Sequence, residues 1–296
     1  MRIVYLSYER GLELAEKGHE IMHADANTIE EKGLEATVKA IKAFDPDLVL
    51  EREFNDGKAI YTALHEKLKA ECPKAIRAMW FIDTHVSHDR HLEYAKNFDV
   101  VFLAISKFVP KFKELLGEER AFWLPLCWPY RSDTIHPNYS LMDYPVSFVG
   151  HWKELAKWFP ERAWYIGKLK ERLGPNFYAV TDYQNMLSIV KRSKVSFNYC
   201  IAGDLNFRVF EVLGCGTELV TNDVPDLHKI HGLAEKLTIY KDIDDLLEYI
   251  YRLLSNDPTV THNTLQTQQW VKERHCLVNR HLQLLDMVEG RGQISF

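Results

Sequence analysis

The stretch Asp204-Leu-Asn-Phe-Arg-Val-Phe-Glu-Val-Leu-Gly-Cys-Gly216 sets a cation and a carboxylate where both could meet one ligand. Arg208 and Glu211 stand three residues apart, so on a helix they share a face. The segment reads as a polar loop, a short helix that stops on Gly216, and then an apolar strand run from Thr217 to Thr221. A helix opening of this kind directs unpaired backbone N–H groups outward and suits an anion. With Arg208 beside the anion and Glu211 beside hydroxyls, the pattern suits a ligand that carries both phosphate and sugar, as a nucleotide sugar does. The same two side chains also fit a surface ion pair worth little, with Gly216 as an ordinary helix stop.

The elements that would position these residues alternate along the whole chain. Strand runs are expected at Ile3–Leu6, Ile21–His23, Leu48–Leu50, Ile76–Ile82, Phe98–Ala104 and Ala121–Leu124. Between them lie a short helix to Lys17 and helices over about 30–43, 58–70 and 107–116, the last with Ser106 as its cap. Alternation at this rhythm argues for βαβ units around a parallel sheet. Residues 125–145, with Pro125, Pro129, Pro137 and Pro145, break the pattern and read as a connector. A second alternation then begins. Strands are expected at Val146–Val149, Phe177–Val180, Val195–Tyr199, Glu218–Val220 and Leu237–Tyr240, with helical stretches over 152–173, 182–192 and 242–254. Asp242 is the expected N-cap of the last, and the final forty residues read as two helices. The fold class is thus α/β with two Rossmann-like halves. Gly150-His151-Trp152 and Asp83-Thr-His85 both fall at carboxyl ends of strands, where open α/β sheets bind ligands.

The composition agrees with that plan. A length of 296 residues suits two domains of about 150 residues each. With 46% hydrophobic and 27% charged residues, the chain has the makeup of an ordinary globular protein. The net charge of -5 excludes a nucleic-acid binder driven by overall charge. The strip from 151 to 174 is nevertheless basic, with Lys153, Lys157, Arg162, Lys168, Lys170 and Arg172. Five scattered cysteines without a CxxC pair point to a reducing, cytoplasmic setting with neither disulfides nor a zinc site. The opening Met-Arg-Ile-Val-Tyr-Leu-Ser reads as a strand rather than a leader, and no window is apolar enough for a membrane span.

Several motifs resemble those of the GT-B glycosyltransferases, most closely the CgeB-like, spore-protein branch. They are Val146-Ser-Phe-Val-Gly150, Lys194-Val-Ser-Phe-Asn198, Asp204–Glu211 with Gly214-Cys-Gly216, Asp182-Tyr183, Tyr240-Lys-Asp242, and a late His275 with Arg280. Looser matches in the first half are Gly18-His19-Glu20, Asp45-Pro46-Asp47, Trp80–His85 and Trp123-Leu-Pro125. The resemblance implies two Rossmann-like domains facing a cleft. Residues 1–130 would form an acceptor domain, joined by a returning helix at about 274–296, and 144–273 a donor domain. It implies a hexosyltransferase that takes a nucleotide-diphosphate sugar such as a UDP-sugar as co-substrate, with no cofactor and no metal.

The resemblance also implies roles for single residues. Glu211 would bind the ribose hydroxyls and Arg208 the diphosphate. Asn206 would cap the helix, and Gly150 would make the tight turn beside the donor phosphates next to His151. By position alone, Asn198 at a strand end would touch the donor or satisfy backbone groups, and Trp152 would stack on the donor or pack in the core. His85 would touch the donor sugar or exchange a proton, and Asp83 would deprotonate an acceptor hydroxyl or else simply cap the following helix. Eight positions before Glu211 many retaining relatives carry a second glutamate; here Gly203 stands there, so retention or inversion is left unassigned. The abbreviated first loop, with only Gly11 after strand 1, and that missing glutamate also fit a catalytically silent protein of the same fold. The acceptor stays open between a small molecule, a glycan, a protein and a modified DNA base.

Overall fold

The computed structural model describes residues 1–7, 12–52, 59–130, 142–154 and 156–290. Gly11 and most of the proline-bearing connector, Pro137 included, lie outside the described residues. The chain divides into two compact units. The first is Met1–Pro125 with the segment that begins at Arg280, and the second is Leu126–Asn279.

In the first unit the order is β1 (Arg2–Leu6), α1 (Leu12–Glu16), β2 (Glu20–His23), α2 (Ala26–Lys32), α3 (Leu34–Phe44), β3 (Leu48–Arg52), α4 (Ala59–Glu71), β4 (Ile76–Phe81), α5 (Thr84–Ala95), β5 (Val100–Leu103), α6 (Val109–Leu116) and β6 (Ala121–Trp123). Its strands form one parallel sheet in the order β2-β1-β3-β4-β5-β6. All of β3 and β5 is buried, as expected for parallel strands covered on both faces. The second unit runs β7 (Tyr144–Val149), α7 (Pro160–Leu173), β8 (Phe177–Val180), α8 (Met186–Lys191), β9 (Ser193–Phe197), α9 (Phe207–Cys215), β10 (Glu218–Asn222), β11 (Thr238–Tyr240), α10 (Ile243–Leu254), α11 (Thr264–Arg274) and α12 (Leu277–Val288). Its sheet, also parallel, has the order β11-β10-β9-β7-β8. Numbered within each unit, both sheets begin 2-1-3-4-5. The winding direction therefore reverses between β1 and β3 in the first unit and between β7 and β9 in the second.

Helix boundaries differ from the sequence expectation where local chemistry intervenes. The helix expected over 30–43 is broken at Gly33, whose φ of 83° no helix accommodates; Asp25 caps the preceding α2 by accepting from the Thr28 amide at 2.8 Å. Ser106 opens a 3-10 turn, Ser106–Phe108, and does not cap α6. Of the stretch 152–173 only α7 is an α-helix, with proline in its first turn. The helix expected at 182 starts at Met186, because the Asp182 carboxylate is taken by the amide and side chain of Asn185. Asp242 caps α10 as its sequence suggests, accepting from Asp244 and Asp245 amides at 3.0 and 2.9 Å.

From Arg280 onward α12 belongs to the first unit, and its contacts there are buried and polar. Arg280 Nε donates to the Pro125 carbonyl at 2.9 Å, and His281 Nε2 lies 3.0 Å from the Tyr5 hydroxyl. Burial, and then the nearby Arg52, push the His281 imidazole down to about 3. The folded unit thus holds this ring neutral while the unfolded chain protonates it near pH 6.5. The stabilisation is full above that pH and is lost as pH falls from 6.5 toward 3. Between pH 6.5 and 5 the loss is about 2 kcal/mol. Thermal or urea melts at the two pH values should show it, and a His281→Gln variant should show a correspondingly flatter dependence.

Candidate functional site

The helix α9 is buried along almost its whole length, from Arg208 to Cys215. That explains why its apolar residues are not confined to one stripe. It ends at Gly216 in the left-handed region, φ 74°, where the Gly216 amide bonds back to Leu213 and Val212 carbonyls. Asn206 stands at the N-cap position, but its side chain makes no capping bond, which corrects the expected role. It is drawn instead into a pair with Asn198, whose amide donates to Asn206 Oδ1 at 3.3 Å and to Thr221 Oγ1 at 3.1 Å. Asn222 completes the staple between the ends of β9 and β10, accepting from the Cys200 amide at 2.6 Å and donating to its carbonyl at 3.0 Å. Burial pushes the Cys200 thiol up to about 11 and Cys215 to about 12, so neither is a thiolate at neutral pH.

Arg208 and Glu211 meet at the first turns of this helix, with Nε 3.4 Å from Oε2 and side chains only 9% and 10% exposed. They do not form the solvated surface pair that spacing alone would allow. Burial raises the Glu211 carboxyl above its ordinary value, while the nearby Arg208 and, after it, Tyr130 pull it back. The Arg208 guanidinium lies over the Tyr183 ring at 5.6 Å, and its Nη1 is buried without a hydrogen-bond partner. A buried guanidinium nitrogen left unpaired is costly, and an anionic oxygen would repay that cost.

Sequence reasoning counted Arg162 only as part of a basic strip. It is in fact buried in the first turn of α7, where Nη1 donates to the His151 carbonyl at 3.1 Å and Nη2 to the Tyr199 carbonyl at 2.8 Å. These carbonyls follow β7 and β9, so Arg162 ties the two strand ends together where the winding reverses. Burial lowers its pKa. The signal was present in the sequence: Arg162 shares one buried stripe with Ile166, Leu169 and Leu173 at helical spacing, an odd place for a charge.

The other expected residues fall as follows. Gly150 follows β7 and its amide bonds to the Val180 carbonyl at 2.9 Å; a Cβ there would come within 3.0 Å of the Phe148 ring. His151 is exposed, with Nδ1 3.5 Å from Glu154 and its ring tilted on Tyr183 at 5.2 Å. Trp152 is buried in the core of the second unit, edge-on to Phe148 at 5.8 Å, with Lys170 over its ring at 4.8 Å. That placement gives Trp152 a packing role. In the first unit Asp83 is exposed at the N-cap position of α5 without capping it through its side chain, and His85 is half-buried two residues on.

A family described as glycosyl transferase-like matches residues 139–286, half of the chain. No curated protein matches in sequence. Among solved structures, HepE of Anabaena in complex with UDP and glucose is similar with a TM-score of 0.64 at 11% identity, covering 98% of this chain and 100% of that one. A glycosyltransferase from Rickettsia africae gives 0.62 at 10% identity, and sucrose-phosphate synthase from Thermosynechococcus elongatus 0.61 at 12%; both cover 98% of each chain. At these identities the likeness establishes the architecture, which is the GT-B fold expected from the sequence. The five cysteines are not joined in disulfides, and among the described residues no helix is long and apolar enough to cross a membrane. With half of its length matched and the fold in agreement, the chain belongs to the glycosyl transferase-like family.

Proposed function

We propose that this protein transfers a sugar from a nucleotide-diphosphate donor to an acceptor hydroxyl, as in the CgeB-like branch, and that the second unit holds the donor. The observation that carries the reading is the buried Arg208 with its unpaired Nη1, beside Glu211 in the opening turns of α9. Arg208 and the first amides of α9 receive the diphosphate, Glu211 accepts from the ribose hydroxyls, and Asn198 and Asn206 hold the loop that leads into the helix. Gly150 and His151 lie beside the phosphates. The complex of HepE with UDP and glucose makes a UDP-sugar the first donor to try.

In the transfer the acceptor oxygen bonds to the anomeric carbon as its proton passes to a base. The bond from that carbon to the β-phosphate oxygen breaks, and the nucleoside diphosphate departs with the electron pair. Arg208 and the dipole of α9 stabilise the departing charge, so the chemistry requires no metal or cofactor. Asp83 is the proposed base and His85 the proposed contact to the sugar. The basic strip gives little support to a DNA-base acceptor. Lys168 pairs with Glu171 at 2.9 Å, and Lys153 and Lys170 rest over the Trp152 ring.

Incubation with UDP-, GDP- and TDP-sugars should release free nucleoside diphosphate from one of them. The matching diphosphate at a hundred times its Kd should stabilise the fold by about 2.7 kcal/mol. If no nucleotide or sugar nucleotide raises the melting temperature, the donor site is misassigned.

A further inference from the structure

Tyr183, of the Asp182-Tyr183 motif, stands in the loop after β8 and is 49% exposed, yet its ring is held in place. The backbone around it is fixed first. Asp182 accepts from the Asn185 amide at 3.1 Å and from its side chain at 2.7 Å, and the Met186 amide donates to the Tyr183 carbonyl at 3.3 Å. From the loop after β7, the His151 ring packs on Tyr183 with centroids 5.2 Å apart and planes at 39°. The Tyr183 hydroxyl lies 3.7 Å from where a Cβ on Gly150 would stand, which sets the far end of the ring against that turn. From α9, the guanidinium carbon of Arg208 lies over the ring, 5.6 Å from its centroid.

We propose that Tyr183 is a positioning residue for Arg208, holding the guanidinium in one orientation with Nη1 left for the diphosphate of the donor. The inference rests on the nucleotide reading above. A planar guanidinium held at one nitrogen can still turn. Glu211 holds Arg208 in that way, with Oε2 3.4 Å from Nε. The Tyr183 face supplies the second restraint, and it attracts the cation without consuming an N–H. Nη1 is accordingly buried with no hydrogen-bond partner. A carboxylate in place of the ring would engage that nitrogen and compete with phosphate. An aliphatic side chain would leave the guanidinium free to turn, and ordering it on binding would cost affinity. The effect belongs to arginine, because the ammonium of a lysine has rotating donors and no plane to orient.

The test is calorimetric binding of UDP, with GDP and TDP as alternates. It uses wild type, Tyr183→Phe, Tyr183→Leu, Arg208→Lys, Arg208→Ala and the double variant Tyr183→Leu with Arg208→Lys. Tyr183→Leu should lose about threefold to tenfold in affinity. Tyr183→Phe keeps the ring face and should stay within about twofold of wild type. In the Arg208→Lys background the leucine change should cost no more than about twofold, since no plane remains to be oriented. The ring is half-exposed, so the melting temperatures of both Tyr183 variants should stay close to that of wild type. Tyr183→Leu affinity equal to wild type, or Tyr183→Phe as impaired as Tyr183→Leu, overturns the role of Tyr183 and leaves the nucleotide site standing. A leucine loss of the same size in the lysine background also overturns it, because the ring would then meet the nucleotide itself. If wild type binds no nucleoside diphosphate, or Arg208→Ala binds as well as wild type, the nucleotide reading itself fails and this proposal with it.

Discussion

Replacing Arg208 by alanine is expected to weaken nucleoside diphosphate binding by about one hundredfold and to lower the stability of the free protein as well. The binding loss follows from charge-assisted hydrogen bonds to phosphate, each worth about 1.5–3 kcal/mol in a setting screened from water. Nη1 is buried and unpaired in the free protein, so bonding to it displaces no protein partner. The stability loss has another origin. With Arg208 gone, Glu211 remains at 10% side-chain exposure without its cationic partner. Removing one member of a buried pair costs about 3–5 kcal/mol where the other must stay ionised. Protonation of Glu211 limits that cost, so the destabilisation should shrink as pH is lowered. Arg208→Lys keeps the charge and loses the planar fork, and should recover stability more fully than affinity. Calorimetry and melts on the same samples separate the two effects; undiminished diphosphate affinity in Arg208→Ala would place the phosphates elsewhere.

Gly214→Ala should destabilise the second unit despite alanine's better helix propensity. The new Cβ would meet three ring atoms of Trp128 at 2.2, 2.5 and 2.8 Å, and the indole is fully buried with no room to yield. Overpacking of this kind costs about 1–3 kcal/mol, more than the roughly 1 kcal/mol that alanine gains over glycine in a helix. The natural control is Gly167 on α7, where a Cβ meets nothing within 4 Å. Gly167→Ala should be neutral or stabilising by up to about 1 kcal/mol. A smaller partner should relieve the clash, so Gly214→Ala combined with Trp128→Leu should melt above the sum of the two single changes. Simple additivity would mean that the indole does not press on this helix.

Much of the architecture was legible because parallel strands covered on both faces write themselves as short apolar runs. β5, Val-Val-Phe-Leu, and the buried end of β4, Ala78–Phe81, are of this kind. The motif around α9 was legible for a similar reason: its cation, carboxylate and terminal glycine are all local in sequence. Other features depend on contacts between residues far apart in the chain. Nothing near Gly214 announces Trp128. Asn206 had the right residue type for a cap, yet Asn198, eight positions away, took its side chain. Arg162 lay on an apolar stripe that could have been noticed, although its carbonyl partners at 151 and 199 could not.

The segment from Arg280 has a consequence for synthesis. Tyr5 and the Pro125 carbonyl leave the ribosome long before the side chains that cover them, His281 and Arg280. At about 5–20 residues per second, the wait between Pro125 and Arg280 lasts roughly 8–30 s. During that interval the nascent amino-terminal half carries an uncovered aromatic seam and an unpaired main-chain oxygen. The portion of the molecule made first is therefore the portion finished last, and a ribosome stalled before codon 280 would display a half that chaperones can still recognise as incomplete.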